Sequence, residues 1–166
     1  MKIQILMVAL FALNLLSIWA TYWLPRCAWW RPIGYLIMAI LPLGSVFFPQ
    51  PQFDLDYFWW RIAGVVTIVS GLFILGWAIK EFSRRKGALF TGGPYQFVRH
   101  PQYLGLIFIW VGWWWVWAAV YSFYFGMIIL ALTWLQGYLE EKLILEKKFG
   151  QEYLNYKKQT GMFWVK

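Results

Sequence analysis

Between two apolar stretches the chain reads Gly92-Gly93-Pro94-Tyr95-Gln96-Phe97-Val98-Arg99-His100-Pro101-Gln102-Tyr103-Leu104-Gly105, and an acidic pair, Glu140-Glu141, follows the next long apolar run. Pro101 suits the first turn of a helix, where its missing N–H costs nothing, so Arg99 and His100 fall just ahead of a helix start. That is the wrong end for cations, because the helix macrodipole disfavours positive charge there by about 0.3–1 kcal/mol each. A basic pair is accounted for if an anion, a carboxylate or a phosphate, is shared between the side chains and the free amides. The competing account is that Arg99 follows the cytoplasmic bias of basic residues in membrane proteins while His100 caps or packs at the interface. Glu141 poses the opposite problem. Tyr138, Glu141, Leu145, Phe149, Tyr153 and Tyr156 recur at spacings of 3, 4, 4, 4 and 3, one face of an amphipathic helix, and an acid on that face calls for a cation. An opposite charge at about 4 Å and an effective dielectric of about 20 contributes about 4 kcal/mol before desolvation. A cationic ligand group, or Arg99 itself, would supply it; so would a solvated helix start beside Lys142, Lys147 and Lys148. A ligand carrying both an anionic and a cationic group satisfies both clusters. Gly92, Gly93 and Gly105 would let backbone approach a ligand or another helix, although turn formation accounts for them nearly as well. Tyr95 and Tyr103 offer rings to stack on and hydroxyls to bond, as a nucleoside site would use, and as interfacial aromatic belts also do.

The elements that must hold these residues are apolar. The 166 residues are 61% hydrophobic, 23% aromatic and only 13% charged, more apolar surface than one small soluble core hides. The net charge of +8 in such a chain speaks to membrane topology before nucleic acid, and nucleic-acid binding is not expected. The single cysteine, Cys27, permits no internal disulfide, and no Cys/His cluster has metal-ligand spacing; no metal is expected.

Ile3 to Leu24 is too long for a signal-peptide core and reads as a spanning helix. Pro32 to Phe48, interrupted by Pro42 and Gly44, is a kinked span that only just crosses a hydrocarbon layer of about 30 Å. Phe58 to Ile79 returns across the bilayer, with Arg61 placed to snorkel. The stretch 80–102 is a polar, basic loop, and Tyr103 to Gly137, without a charged residue, fits two helices in a tight hairpin joined near Trp117 to Tyr121. The expected fold is therefore all-α: an integral membrane domain of about five transmembrane helices, with a hairpin of helices 4 and 5 and an amphipathic helix after it. Residues 1–79 hold three spans; residues 80–166 hold the loop, the hairpin and the final helix.

Five spans put the amino terminus and the 49–57 loop on one side, and the 25–31 loop, the 80–102 loop and the carboxyl tail on the other. Of the 15 basic residues, all but Lys2 and Arg61 fall on that second side, so the positive-inside rule places the long loop and tail in the cytoplasm.

Gly93-Pro94-Tyr95, Arg99-His100-Pro101 with Tyr103 and Gly105, Glu140-Glu141, and Phe149-Gly150 with Tyr153 and Tyr156 together resemble the isoprenylcysteine carboxyl methyltransferase and phospholipid methyltransferase family of integral-membrane enzymes, over roughly Lys80 to Phe163. The resemblance implies S-adenosylmethionine as cofactor, whose carboxylate, amino group and sulfonium agree with the demand for a doubly charged ligand. It further implies that Tyr95, His100, Pro101, Gln102 and Tyr103 border the cofactor, that Gly87, Ala88, Leu89 and Phe90 lie along its adenosine, and that Glu141 makes the family's acidic contact. The cofactor would enter from the cytosol and a lipophilic acceptor from the bilayer: a prenylcysteine-like group, a phospholipid amine or a hydrophobic thiol. Where the prenylcysteine enzymes carry an arginine one turn before the acid, this chain has Gly137 with Gln136 beside it, which argues against a carboxylate acceptor. Arg99, Glu140 and Glu141 are the catalytic candidates, either acid serving as base for a protonated acceptor.

Other functions remain open at this point. A membrane steroid or isoprenoid reductase using NADPH shares an Arg-His-Pro-x-Tyr element, but Gln102 and Leu106 depart from its pattern. A non-catalytic membrane partner would keep the fold without binding the cofactor. A small multidrug-type transporter would want an acid inside a span, and every Asp and Glu here lies at or beyond a span edge.

Overall fold

The computed structural model describes residues 2–23, 36–37, 39–40, 42–47, 49–54, 58–84 and 87–166. Among them the chain is helical, without strands: α1 (Lys2–Trp23), α2 (Phe58–Ser83), α3 (Pro101–Trp117), α4 (Val120–Glu140) and α5 (Glu146–Gln159), with 3-10 turns at Ser45–Phe47 and Gly93–Gln96. The expected loop at 25–31 lies outside the described residues, and the expected second span at 32–48 lies partly outside; its described residues 42–44 are helical. Two helical stretches among the described residues are long and apolar enough to cross a membrane, Phe58–Ser83 and Val120–Gln159. The second has 40 residues, about 60 Å at 1.5 Å per residue, so only its apolar first half fits a hydrocarbon layer of about 30 Å. Glu141 and α5 lie past that half.

α2 shows how the helices meet. Its outward face, Val65, Val66, Val69, Leu72 and Phe73, is exposed, as a lipid-facing surface is, while its glycines touch α3. A Cβ on Gly112 would stand 2.5 Å from the carbonyl oxygen of Gly64, and one on Gly105 would stand 2.9 Å from that of Gly71. Glycines seven residues apart on both helices thus let two antiparallel backbones come into contact, gaining dispersion where hydrocarbon offers no hydrophobic drive. Gly105 serves this helix contact. α2 also runs four residues past the expected end of its span, to Ser83, with Lys80 in its last turn, where the macrodipole favours a cation.

The α3–α4 hairpin turns where expected. Ala118 is left-handed (φ 47°) between the two helices, and the 49–54 segment covers the turn, with Phe53 N donating to Ala118 O at 2.7 Å and Val120 N to Pro51 O at 3.1 Å. Gln50 serves the exposed amide end of α4: its Oε1 accepts from Ser122 N at 2.9 Å. Trp110 and Trp113 donate their indole N–H groups to the carbonyls of Ala39 and Leu43, each at 3.0 Å, securing backbone oxygens that lipid could not satisfy. On α1 the buried residues Asn14, Ser17, Ile18 and Thr21 form one stripe, and Tyr22 donates to Gln136 O of α4 at 3.1 Å.

α4 does not pass straight into α5. Glu141–Leu145 form one π turn, and Gly150 adopts φ 53°, ψ −125° inside α5, a conformation open to glycine. The wider turn inserts a residue into the helical phase, so the expected stripe splits: Glu141, Tyr153 and Tyr156 are buried, while Tyr138, before the turn, is exposed and stacks on Trp134.

Candidate active site

Arg99 and His100 precede α3, with Pro101 in its first turn as expected. The anion their position demands is Glu141. Arg99 Nε donates to Glu141 Oε1 at 2.7 Å, and His100 Nε2 stands 3.2 Å from the same oxygen. Lys157 Nζ of α5 lies 2.6 Å from Glu141 Oε2 and 3.1 Å from Glu146. Arg99 also donates to the carbonyls of Lys157 and Thr160. Burial works to raise the Glu141 carboxyl, but the hydrogen bonds from His100, Lys157 and Arg99 prevail and hold it down at about 2. Glu146 is likewise held below its usual range, chiefly by Lys142.

The carboxyl tail completes this layer. Arg99 N donates to Gly161 O at 2.9 Å and His100 N to Met162 O at 3.2 Å, so backbone beyond α5 pairs with backbone ahead of α3. The loop in front is fixed by Tyr156, whose hydroxyl donates to Tyr95 O at 2.5 Å, and by an edge-to-face contact of Phe90 with Tyr95. Gly93 has φ 57°, where a Cβ would stand 2.9 Å from Glu81 Cγ.

Above the layer lies a cavity of about 390 Å³, lined by residues of α2, α3, α4, α5 and the 89–100 loop, within the ordinary range of small-molecule sites, about 300–1,000 Å³. The end at the start of α3 and the close of α4 is polar, with Arg99, His100, Gln102, Tyr103 and Glu140; one to two turns deeper along the helices the lining is mostly apolar, with Leu75, Ile79, Leu106 and Trp110 beside Thr133 and Gln136. Of the site residues expected from the sequence, Leu89, Phe90, Tyr95, Arg99, His100, Pro101, Gln102, Tyr103 and Glu140 line it, whereas Gly87, Ala88 and Glu141 do not. The two acids differ in exposure, with 25% for the Glu140 side chain and 1% for Glu141. Glu140 Oε2 accepts a hydrogen bond from Tyr103 at 2.7 Å, and Tyr103 accepts one from Gln136 Nε2 at 3.1 Å; His100 stacks flat on Tyr103. Gly137 faces Met162 and Phe163 of the tail. Gln136, Tyr153 and Tyr156 join the lining without having been singled out as cofactor contacts; the tyrosines stood on the amphipathic stripe, and Gln136 had its place beside Gly137 as its signal. Among the described residues no group of His, Cys, Asp and Glu is arranged to hold a metal ion.

A methanethiol S-methyltransferase of Pseudomonas deceptionensis is 26% identical over 172 aligned positions, covering 81% of this chain and 62% of the relative; the chain thus spans less than two thirds of that protein's length. No solved structure matches significantly. The profile of the phospholipid methyltransferase family matches residues 56–152, which takes in α2, the loop, the hairpin with its acidic pair and the start of α5, and the chain belongs to that family.

Proposed function

We propose that the protein is a membrane-embedded methyltransferase that moves a methyl group from S-adenosylmethionine to a lipophilic acceptor. The observation that carries this reading is the single cavity joining a charged end to an apolar end, because the reaction needs a polar cofactor and an apolar acceptor side by side, with water excluded. The residues present fit the cofactor: His100, Pro101, Gln102 and Tyr103 would border it together with Tyr95, and the 87–90 segment would run along its adenosine, with Phe90 and Tyr95 on the lining. Its sulfonium supplies an activated methyl group. Glu141 acts from behind the wall, fixing the orientation of Arg99 and His100 through its hydrogen bonds.

The acceptor is uncharged. Arg99 is the cationic side chain among the described lining residues, and both it and the His100 ring face Glu141; Lys157 is paired with Glu141 and Glu146. A phosphate or a carboxylate on the acceptor would add a second anion, beyond the one the cofactor carries, beside Glu140, and like charges about 4 Å apart repel by about 4 kcal/mol at an effective dielectric of about 20. A hydrophobic thiol fits better than a phospholipid amine or a prenylcysteine carboxylate, and the name of the Pseudomonas relative points the same way. Five spans, with the 80–102 loop and tail cytoplasmic and the amino terminus opposite, are supported by the contact of Tyr22, at the end of α1, with Gln136, at the end of α4, since both helices must then finish on one side. Residues 1–79 and 80–166 form one membrane domain in this reading, joined by the glycine contact of α2 with α3.

Calorimetric titration of the detergent-solubilised protein with S-adenosylmethionine and its demethylated product tests the proposal. Saturable binding is expected, and His100→Ala weakens it by about tenfold or more, about 1.4 kcal/mol. A folded, monodisperse sample that binds neither compound overturns it.

A further inference from the structure

Adjacent carboxylates close α4, and their surroundings divide their roles. Glu141 has its first oxygen occupied by Arg99 and His100 and its second against Lys157; it is sealed from the cavity. Glu140 lines the cavity with Leu106, Trp110, Thr133 and Gln136. Its Oε2 is fixed by the Tyr103 hydroxyl, which is in turn fixed by the Gln136 amide. Oε1 has no part in that hydrogen-bonded chain. His100 Nδ1 stands 3.9 Å from Oε2.

We infer that Glu140 is the proton acceptor for an uncharged thiol held with its chain in the apolar end of the cavity and its sulfur toward the polar end, with Tyr103 and Gln136 as its positioning residues. The inference rests on the methyl-transfer reading above. In the step, the thiol sulfur uses a lone pair to form a bond to the methyl carbon of a sulfonium donor. The bond from that carbon to the donor sulfur breaks, and its electron pair stays on the donor, which leaves as a neutral thioether. The S–H proton passes to the Glu140 carboxylate, so the products are a methyl thioether, the demethylated donor and a carboxylic acid that returns its proton to water. A carboxylate suffices as base because the acceptor sulfur takes on sulfonium character as the new bond forms, and its proton becomes strongly acidic. A thiol already ionised in solution has no proton to give and should not need Glu140.

That difference supplies the test. Initial rates are measured on the full, solubilised chain at saturating S-adenosylmethionine, with an alkanethiol and with an acidic aryl thiol of similar size; cofactor affinity is measured by calorimetry on the same samples. Glu140→Gln is expected to lower kcat on the alkanethiol by about 10²–10⁴-fold, the usual range for a lost general base, and by less than about tenfold on the aryl thiol. Its cofactor Kd, measured on the same sample, separates any loss of binding from the loss of kcat. Glu140→Asp should restore part of the alkanethiol rate. Tyr103→Phe leaves the carboxylate but frees it, so its alkanethiol loss should be smaller than that of Glu140→Gln and again selective; it carries the test if Glu140→Gln does not fold. Equal losses on both thiols, or none, overturn the inference. A wild type that binds the cofactor yet methylates neither thiol overturns it while the broader reading stands, and a wild type that does not bind the cofactor overturns both.

Discussion

The carboxylate of Glu141 stays charged in a buried place because Arg99, Lys157 and the His100 ring converge on it, so its charge is worth more to the fold than to any ligand. Removing one partner of a buried ion pair leaves the others uncompensated, at a cost of about 3–5 kcal/mol. Glu141→Gln should therefore markedly lower the unfolding temperature of the solubilised protein, followed by tryptophan fluorescence. The pH dependence has a definite sign. The folded carboxyl titrates below its ordinary value of 4.5, at about 2, so its stabilisation is complete above about 4.5 and is lost as pH falls toward about 2. The difference in unfolding temperature between wild type and Glu141→Gln should shrink across that window; an unchanged difference would show that the carboxylate is not held by these partners. Much of this was legible in the sequence: cations ahead of Pro101 called for an anion, an acid on an apolar stripe called for a cation, and Arg99 was one possible answer to the second demand. Which acid would face the cavity was not legible, because neighbouring residues on a helix differ in direction by about 100° and the π turn shifts that phase.

At the scale of elements, α2 and α3 depend on having no side chain at four points of contact. Gly112→Leu would drive a side chain into the backbone of α2, where a Cβ would already meet the Gly64 oxygen at 2.5 Å. Gly76→Ala, by contrast, adds a methyl where nothing stands within 4 Å and replaces a poor helix former with a good one, for about 1 kcal/mol. Thermal unfolding should rank Gly76→Ala at or above wild type and Gly112→Leu well below it; equal stability of the two variants would exclude the backbone contact. The hairpin, its turn and the start of α3 were legible because apolar length and proline position are local signals. The π turn and the Gly150 kink were not, since a stripe at spacings of three and four reads as one uninterrupted helix. The pairing of 99–100 with 161–162 was hidden for another reason: backbone hydrogen bonds leave no mark on side-chain type.

For the whole molecule, the two helical stretches long and apolar enough to cross a membrane also form part of the wall of the site, and the apolar end of the cavity lies among Leu75, Ile79, Leu106 and Trp110. An acceptor that reaches it through the bilayer is sampled at its concentration in hydrocarbon rather than in water. Each added methylene favours that phase by about 0.8 kcal/mol, a factor of about four. Across a series of straight-chain thiols assayed in liposomes, KM expressed as an aqueous concentration should therefore fall about fourfold per carbon. KM independent of chain length would mean that the added carbons stay in water when the acceptor binds. The fall should stop when the chain outgrows the space left beside the cofactor in a cavity of about 390 Å³, so the carbon number at which the series breaks would serve as a ruler for the inside of the protein.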